Sequence, residues 1–385
     1  MANPKTFELP LSSFVFDGSH PSMFRDRQGK FEDRAPNYDD RYDFHTFVYD
    51  CFYRDDINEV WILCPRLLNF IGLVRDMVFC VDGTEHGRVK IENLSRCSLI
   101  RLKGVKSIPQ IVRFEHEKVS GDLPVGDTRL DLFAGKNAVF SINKDNRLEW
   151  IQDWLRFYVR VHGLNAMALV DNGSTTYSVD DLRAAIDEVE GIERACVISA
   201  PLPFGPNAEG QANTSSLYLQ RSTAEIIRRR LFKNCRAVLN VDIDELIFSW
   251  SGQSIFDATA QSDIGYVRAN AEWIYVDEDT AARVKKPLRH VHHTNLSVPR
   301  KPGAKRQPKA NRKWCVDPNG KYGEHQWLMH FLENQKDPID LDFLMLHCRQ
   351  ISTSWKYERG GLDGIALEPF PELEVLMKKT FPEYL

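Results

Sequence analysis

The chain has 385 residues, of which 43% are hydrophobic and 27% are charged, and its formal net charge is −4. This composition is ordinary for a soluble globular protein with room for two domains, and it excludes a fibrous or disordered chain. The longest apolar stretch, 60–81, is broken by Pro65, Arg66, Arg75 and Asp76, so it cannot span a bilayer. The amino terminus shows no secretory signal, and the eight cysteines are scattered without close pairs, which favours reduced thiols. We therefore expect a cytoplasmic protein.

The first third of the chain predicts an arm and a β-rich domain. Residues 1 to about 40 are polar and lack periodicity, which predicts an irregular arm. Short runs rich in β-branched and aromatic residues then recur at 45–52, 60–64, 77–81, 88–91, 98–102 and 108–114. Their spacing predicts a β-rich accessory domain over 41–120. Glycines and prolines predict a linker over 121–136. Sugar binding through Trp61, Tyr49 or Tyr53 is an alternative to a core role for these aromatics.

After Gly135 the pattern changes to alternating strands and helices. Apolar runs that predict strands lie at 138–142, 166–170, 196–199 and 237–241. Segments with helical spacing lie between them, at 148–161, 178–189 and 214–231. This alternation predicts an α/β domain over 137–385 with a parallel sheet and right-handed crossovers.

The run from Arg236 to Phe248 ends an apolar strand with three acids. Asp242 and Asp244 are two residues apart, so on a strand they would face the same side. Carboxylates that converge in this way can bind a hard divalent cation, which keeps part of its shell for substrate phosphates. Short acidic clusters are also common without function, and a second pair lies at Asp340 and Asp342. That pair lies at the start of an apolar run, whereas Asp242 and Asp244 lie at the end of one. Open α/β sheets bind ligands at the carboxyl ends of their strands.

The carboxyl ends of parallel strands share one edge of the sheet, so Asn143, Asp171 and Asp242 are expected near a common crevice. Asp171 is placed there to accept hydrogen bonds from a ribose or base, and Gly173 allows a close backbone turn. The alternative is that Asp171 bonds its own turn.

These motifs resemble those of a known family. The segments that carry the resemblance are Glu149 to Trp154 with its helix, Leu169 to Thr175, and Gln211 and Tyr218 upstream of Asn240 to Glu245. Through them the sequence resembles glycosyltransferases of the GT-A fold, and its pattern is most similar to family 92 and its family 2 relatives. The similarity covers about residues 138 to 360. This chain has Asn143-Lys144-Asp145 where the family often has Lys-Asn-Glu, and the amino-terminal third matches no family pattern.

The resemblance implies a nucleotide-sugar donor, uridine-linked, and a manganese ion, with magnesium as the alternative. By this resemblance, the metal would be held by Asp242, Asp244 and His347. Manganese is the first choice because imidazole beside carboxylates favours Mn²⁺ over Mg²⁺. Further residues are expected to contact the nucleotide sugar, and these are Asn143, Asp171, Asn172, Asp242, Lys356 and Arg359. Lys356 and Arg359 would neutralise the leaving diphosphate.

An inverting transfer needs a carboxylate or histidine that reaches the attacking hydroxyl. Glu272 is the first candidate for this catalytic base, since Glu272 and Trp273 are expected to face one acceptor sugar. Asp317 and Glu324 are the further candidates. A solvated or paired structural role is the alternative for each of the three carboxylates.

One segment is strongly basic. Between Arg283 and Lys313 there are eleven Lys or Arg and no Asp or Glu. With its prolines the segment predicts a loop that closes over the diphosphate, contacts an anionic acceptor, or holds the protein peripherally at an acidic membrane surface. A solvated loop is the plainest alternative. Nucleic-acid binding is not expected, because no interleaved aromatics accompany the charges. His290, His292 and His293 lack acidic neighbours in sequence, so they do not predict a metal site.

The predicted function is metal-dependent transfer of a sugar from a UDP-linked donor to a glycan or lipid-linked glycan acceptor, as in polysaccharide or glycoconjugate synthesis. A non-catalytic carbohydrate- or nucleotide-binding protein on the same scaffold is an alternative of another class. A nucleotidyltransferase, which would release pyrophosphate, is a third possibility.

Overall fold

The computed structural model describes residues 5–206, 216–297, 310–335, 339–353 and 365–384. Within these ranges, no helix combines the length and the apolar composition that crossing a bilayer requires.

Most regular elements of residues 5–124 are strands. The strands are β1 Thr6–Leu9, β2 Phe14–Val15, β3 Thr46–Val48, β4 Asp50–Arg54, β5 Glu59–Pro65, β6 Val78–Val81, β7 Thr84–Glu85, β8 Val89–Asn93, β9 Cys97–Lys103, β10 Ile111–His116 and β11 Val119–Pro124. The helices are α1 Tyr38–Arg41 and α2 Phe70–Asp76, with 3₁₀ turns at Pro21–Met23 and Phe31–Asp33.

The remaining residues alternate strands and helices. In chain order these are β12 Asn137–Asn143, α3 Leu148–His162, β13 Ala166–Asp171, α4 Val179–Asp187, β14 Arg194–Ser199, α5 Tyr218–Arg230, β15 Ala237–Asn240, β16 Glu245–Ser249, α6 Ile255–Gln261, β17 Tyr266–Tyr275, α7 Glu278–Arg283, β18 Asn295–Ser297, β19 Trp314–Val316, β20 Asp340–Cys348, β21 Leu367–Pro369 and α8 Pro371–Thr380. The 3₁₀ turns here are Asp131–Phe133, His290–His292 and Pro382–Tyr384.

The accessory part contains small antiparallel sheets, in line with the strands that the spacing of its β-branched and aromatic runs predicts. One has the strand order β4-β5-β9-β8 and another β11-β10-β6-β7, while β2 pairs with β3. The six predicted strand regions are all found, with shifts of a few residues at their ends. Their inner faces share a core that includes Phe47, Ile62, Ile100 and Phe114.

The largest sheet has 11 strands among the described residues. One half is parallel, in the order β1-β14-β13-β12-β15. Beyond β15 the strands β19, β17, β18 and β21 continue in antiparallel pairing, and β20 lies parallel to β17 with β16 at its side. The α/β class and the parallel strands predicted from the sequence are confirmed.

Local signals in the sequence explain the helices of the parallel half. Helix α3 ends at Gly163, whose φ of 70° is the left-handed conformation that glycine adopts without strain. Helix α4 begins after Ser178, whose side chain accepts from the backbone N–H of Asp181 at 3.1 Å, while the Asp181 side chain bonds back. This capping box satisfies amide groups that the first turn leaves without partners.

Two of the predicted boundaries need correction. The arm is not irregular throughout, because β1 forms an edge strand beside β14. The predicted linker 121–136 includes the end of β11, which pairs with β10. One continuous core, with Phe52, Trp61, Phe140 and Ile227 among its members, joins the accessory strands to helix α5 and the large sheet. The accessory part and the α/β part therefore fold against each other.

Candidate active site

The crevice predicted at the strand ends lies between β12 and β15. Strands β13 and β14 follow on one side of β12, whereas β15 lies on its other side. The winding of the sheet reverses here, and open α/β sheets bind ligands outside the carboxyl ends of the strands at such a point. A small cleft opens at this position. Its lining includes Ser141, Ile142, Val170, Gln220, Thr223, Asn240, Asp242 and Met329.

Asn143 and Asp171 end neighbouring strands and are register partners. The Asn143 amide donates to Asp171 Oδ1 at 2.7 Å and to the Tyr177 hydroxyl at 2.9 Å. Asp171 also accepts from the backbone N–H of Ser174 at 3.0 Å and from its hydroxyl at 2.5 Å. Asn143 is fully buried and Asp171 is 4% exposed, so this network fixes the loop after β13. The turn role of Asp171 is thus present, and its contact with a nucleoside stays a prediction.

Asn172 holds the same loop from its other side. Its amide donates to the carbonyls of Ala200 and Leu202, both at 2.8 Å. Gly173 follows with φ of 69°, and a Cβ atom at this position would lie 3.2 Å from Cβ of Pro201. The predicted close turn at Gly173 is confirmed. A role for Asn143 and Asn172 in nucleotide binding stays a prediction.

The acidic pair lies in a turn rather than on a strand. Strand β15 ends at Asn240, and the backbone N–H of Glu245, the first residue of β16, donates to the carbonyl of Asp242 at 3.0 Å. The expectation that strand alternation aims Asp242 and Asp244 to one side is therefore wrong. The turn instead brings each of them to a different basic side chain.

Asp242 faces a buried lysine. Lys313 Nζ lies 3.0 Å from Asp242 Oδ2 and 3.0 Å from Glu245 Oε2. The Glu245 carboxylate also accepts from the backbone N–H of Asp242 at 2.7 Å. The side chains of Lys313 and Glu245 are 0% and 2% exposed, whereas that of Asp242 is 32% exposed. Lys313 and Glu245 thus form the floor of the site, and Asp242 reaches the cleft.

Asp244 faces a histidine on β20. Asp244 Oδ2 lies 3.0 Å from His347 Nε2, and His347 Nδ1 lies 3.9 Å from Glu245 Oε1. The His347 ring stacks on the indole of Trp273, with 3.9 Å between ring centroids and 15° between planes. The Arg349 guanidinium lies 5.2 Å from the same indole. The stacking fixes the orientation of the imidazole beside Asp244.

Burial sets the protonation of the site floor. It raises the pKa of Glu245 to about 7, with Lys313 opposing the shift and Asp242 adding to it. Burial also disfavours the Lys313 ammonium, but Asp242 and Glu245 outweigh that effect and hold the pKa of Lys313 above its ordinary value. Lys313 is therefore a permanent cation, and Glu245 titrates near neutral pH.

The structure brings two of the three predicted metal ligands together and pairs the third with a lysine. Within the ranges that the structure describes, no group of three His, Cys, Asp or Glu residues is arranged to hold a metal. Asp244 Oδ2 and His347 Nε2 lie 3.0 Å apart and form a hydrogen bond; neighbouring ligands on an octahedral ion with bonds of roughly 2.1 Å are also about 3.0 Å apart. Asp244 and His347 can therefore hold one edge of such an ion. Asp242 as a third ligand stays a prediction, because its Oδ2 is paired with Lys313.

The nominated catalytic carboxylates do not gather around these residues. Glu272 is exposed and neighbours Trp273 on β17, so the two side chains leave the strand on opposite faces. Since Trp273 covers His347, Glu272 points away from it. The expectation that Glu272 and Trp273 serve one acceptor is wrong for this reason, and Glu272 as the base stays a prediction.

Asp317 and Glu324 lie at the opposite edge of the sheet. Strand β19 runs antiparallel to β15, with Val316 opposite Val238, so Asp317 lies at the amino-terminal end of β15. Its Oδ1 accepts from the backbone N–H of Asn319 at 2.8 Å. Glu324 is paired with Lys233 and lies 3.6 Å from Arg228. Both carboxylates are structural, which corrects their nomination as bases.

The basic segment does not form one loop. Arg289 donates to both oxygens of the buried Asp153, at 2.6 and 2.7 Å, and to the Tyr384 hydroxyl at 2.6 Å. His290 lies 2.8 Å from the carbonyl of Ile243. The predicted closing loop falls largely on 298–309, and with Lys356, Arg359 and Gln211 it lies outside the described residues.

Sequence reasoning missed Lys313, which it counted only as the last charge of the basic segment. The available signal was the position of this lysine directly before the apolar strand Trp314–Val316. A residue next to a buried strand tends to be buried with it. The carboxylate partners of Lys313 are about 70 residues away in sequence, so the pattern could not name them.

The comparisons with known proteins show only distant similarity. No family profile matches the chain, and no curated protein matches it. Similar solved structures include the galactosyltransferase LgtC in complex with donor and acceptor sugar analogues, at 16% identity and a TM-score of 0.23, over 38% of this chain and 49% of that one. The mannosyltransferase Ktr4p from S. cerevisiae in complex with GDP is 10% identical at a TM-score of 0.25, over 40% of this chain and 47% of that one. The chain thus spans about half the length of these glycosyltransferases.

Proposed function

We propose that this chain is a metal-dependent glycosyltransferase of the GT-A type that uses a UDP-linked sugar donor. The acceptor is a glycan or a lipid-linked glycan. The observation that supports the proposal is the Asp244–His347 pair, held at the winding reversal of the parallel sheet beside Asp242 and a buried Lys313–Glu245 floor.

The reaction breaks the bond between the sugar C1 and the diphosphate oxygen, which keeps the electron pair. A bond forms between C1 and the acceptor oxygen, whose proton passes to a base. A divalent ion bound to Asp244 and His347 would neutralise charge on the leaving diphosphate. Lys313 holds Asp242 and Glu245 in place, and it gives the site a cation that is present at every relevant pH. Trp273 keeps His347 from rotating, so the imidazole stays aimed at Asp244.

The test measures the binding of Mn²⁺ and UDP. Thermal unfolding and isothermal titration calorimetry are the two readouts. A ligand that binds only the folded state at 100 times its dissociation constant stabilises that state by about 2.7 kcal/mol. We expect UDP with Mn²⁺ to raise the melting temperature of the wild type. In Asp244→Ala and His347→Ala, Mn²⁺ affinity should fall by on the order of 100-fold.

Asp340→Ala is the matched control, because it removes an aspartate from the other acidic pair of the chain. It should keep the response to UDP and Mn²⁺. Wild-type metal affinity in both Asp244→Ala and His347→Ala would refute the metal site.

A binding protein without turnover remains the second candidate, because Asp317 and Glu324 lie at the far sheet edge and Glu272 points away from His347. Release of UDP from a panel of UDP-sugars in the presence of acceptors separates the two. Mn²⁺-dependent binding with no UDP release across the panel would favour the binding protein. Release of pyrophosphate from a nucleoside triphosphate and a sugar phosphate would instead indicate a nucleotidyltransferase.

A further inference from the structure

A second polar cluster lies beside the candidate active site, and we call Arg96, Arg221 and His330 the arginine cluster. Helix α5 packs against strands β5 and β9 of the accessory part, and Arg96 directly precedes β9. Arg228, seven residues after Arg221 and on the same face of α5, donates to the carbonyl of Gly323 at 3.1 Å. The cluster therefore lies where α5, the accessory sheet and the segment 310–335 meet.

Arg221 is buried without a hydrogen-bond partner for most of its guanidinium. The residue is 8% exposed, and within the described part of the chain its Nε and Nη1 atoms are buried and donate to no hydrogen-bond acceptor. The carboxylate four residues along the helix, Glu225, is already engaged by Arg228 at 2.9 and 3.2 Å and by Arg229 at 2.9 Å. A buried cation in this state costs free energy that the fold itself does not recover.

His330 forms a hydrogen bond with the backbone of Arg312, but one of its ring nitrogens is left without a partner among the described residues. This nitrogen is Nδ1, which is buried. Burial lowers the pKa of His330 to about 4, and Lys313 and Arg221 contribute to the shift. Burial also lowers the pKa of Arg221 to about 10, with the nearby positive charge of Arg96 adding to the effect. The charge of Arg221 is thus opposed mainly by Glu225, a carboxylate that Arg228 and Arg229 already share.

This region adjoins the cleft. Met329, the residue before His330, lines the cleft together with Gln220, the residue before Arg221. The Met329 carbonyl accepts from the amide of Asn240 at 2.9 Å, which fixes this segment to the end of β15. Asp242 and Lys313 are close enough to His330 to act on its charge, so the arginine cluster neighbours the floor of the candidate site.

We propose that the arginine cluster binds an anionic oxygen group, a carboxylate or a phosphate, carried by the sugar ligand. The planar guanidinium presents paired N–H donors that match both groups, and neutral His330 supplies a further donor or acceptor. This inference rests on the proposed function and deepens it, since it assigns an acidic sugar substrate. The bound anion would offset the buried charge that the apoprotein carries.

The experiment measures binding and unfolding of the wild type and of Arg221→Gln. The matched probes are UDP-glucuronate and UDP-glucose, which differ in a carboxylate at C6, each with Mn²⁺; free glucuronate and inorganic phosphate are added alone. We expect the wild type to bind UDP-glucuronate at least tenfold more tightly than UDP-glucose if the group is a carboxylate. If the group is a phosphate, we expect inorganic phosphate to raise the melting temperature instead. Arg221→Gln should abolish either effect.

The unliganded variant separates ligand binding from a structural role. Removing a buried charge that has no partner should leave the melting temperature of Arg221→Gln equal to or above that of the wild type, as occurs when a residue is kept for function rather than stability. Arg156→Gln, which removes an arginine from the ion pair with Asp153 on α3, is the control and should keep the response to every probe.

Two results would overturn the proposal. One is a lower melting temperature of Arg221→Gln together with an unchanged response to the anionic probes, which would make Arg221 structural. The other is a wild type in which glucuronate, UDP-glucuronate and phosphate produce no stabilisation that depends on Arg221. The UDP-glucose arm remains independent, because Mn²⁺-dependent binding of UDP-glucose that survives in Arg221→Gln supports the proposed function even where the anion site fails.

Discussion

Lys313 shows how a single side chain sets the electrostatics of the site. It is fully buried, and its ammonium lies between the carboxylates of Asp242 and Glu245. A buried charge is stable when opposite charges and hydrogen bonds surround it, and removing one partner leaves the others uncompensated. Lys313 therefore determines whether the acidic turn can form before any ligand is present.

The first prediction at this scale concerns Lys313→Met, which keeps an unbranched side chain, one atom shorter, and removes its charge. At pH 8, where Glu245 is ionised in the folded protein, we expect the free energy of unfolding to fall by about 3–5 kcal/mol, since Glu245 would remain buried without its cation. Urea denaturation measures the loss. Lys378→Met, which breaks an exposed ion pair with Glu374, should cost less than about 1 kcal/mol. Equal small losses in both variants would contradict the role of Lys313.

The second prediction concerns Glu245 and pH. Its folded-state pKa, about 7, is above its ordinary value of 4.5, so the folded protein favours the protonated form. The stability from this proton is fully present below pH 4.5 and is lost as the pH rises through 7. We expect wild-type stability to fall across this window, relative to Glu245→Gln, by an amount on the order of 3 kcal/mol. Melting temperatures of both apoproteins between pH 4.5 and 8 test this, and parallel curves would refute it.

Helix α5 shows how one element joins two parts of the chain. Its sequence carries five charged residues, yet the helix is buried between the accessory sheet and the large sheet. Its last residue, Arg230, pairs at 2.8 Å with Asp50 of β4, and both side chains are at least 98% buried. The end of the helix thus brings a cation to a carboxylate of a different sheet, while its first turns line the cleft with Gln220 and Thr223.

The prediction at this scale is that Arg230→Met destabilises the protein by about 3–5 kcal/mol, because Asp50 would stay buried without a cation. Chemical denaturation of Arg236→Met provides the comparison, since the Arg236–Asp257 pair is 37% and 47% exposed and should contribute little. Adding Asp50→Asn to Arg230→Met should recover part of the loss. No recovery in the double variant would argue against the buried pair as the cause.

At the scale of the whole molecule, the amino-terminal arm belongs to the α/β sheet. Strand β1 pairs in parallel with β14, and Leu9 of this strand is 3% exposed within the core that also contains Phe140 and Trp314. The same core includes Trp61 of the accessory part. The sheet that carries the candidate site is therefore completed by residues from the start of the chain.

We accordingly expect Leu9→Ala to lower the free energy of unfolding by about 2–5 kcal/mol, as for other large-to-small changes in a core. Phe31→Ala, in the same arm but at a residue that is 83% exposed, should change it by less than about 0.5 kcal/mol. Thermal and urea unfolding of the two variants give the comparison. A Leu9→Ala protein as stable as the wild type would mean that the arm is not docked.

The sequence by itself determined the alternation of strands and helices after Gly135. The signals are local: the period of the hydrophobic residues, the N-cap Ser178 and the glycine at 163 that ends helix α3. It also placed Asn143 and Asp171 at one sheet edge, since parallel strands bring their carboxyl ends together. The prediction of an irregular arm was wrong at β1, because this strand has only four residues. Four residues are too few to show a hydrophobic period.

Tertiary structure alone decided what surrounds each candidate residue. The pairing of Asp244 with His347, and of Asp242 with Lys313, joins positions about 100 and 70 residues apart, and the strand register that creates these pairs leaves no mark in the sequence. The direction of β19 placed Asp317 at the far edge, and the two faces of β17 separated Glu272 from Trp273. A residue's type is local, but its electrostatic environment is made by segments that meet only when the chain folds.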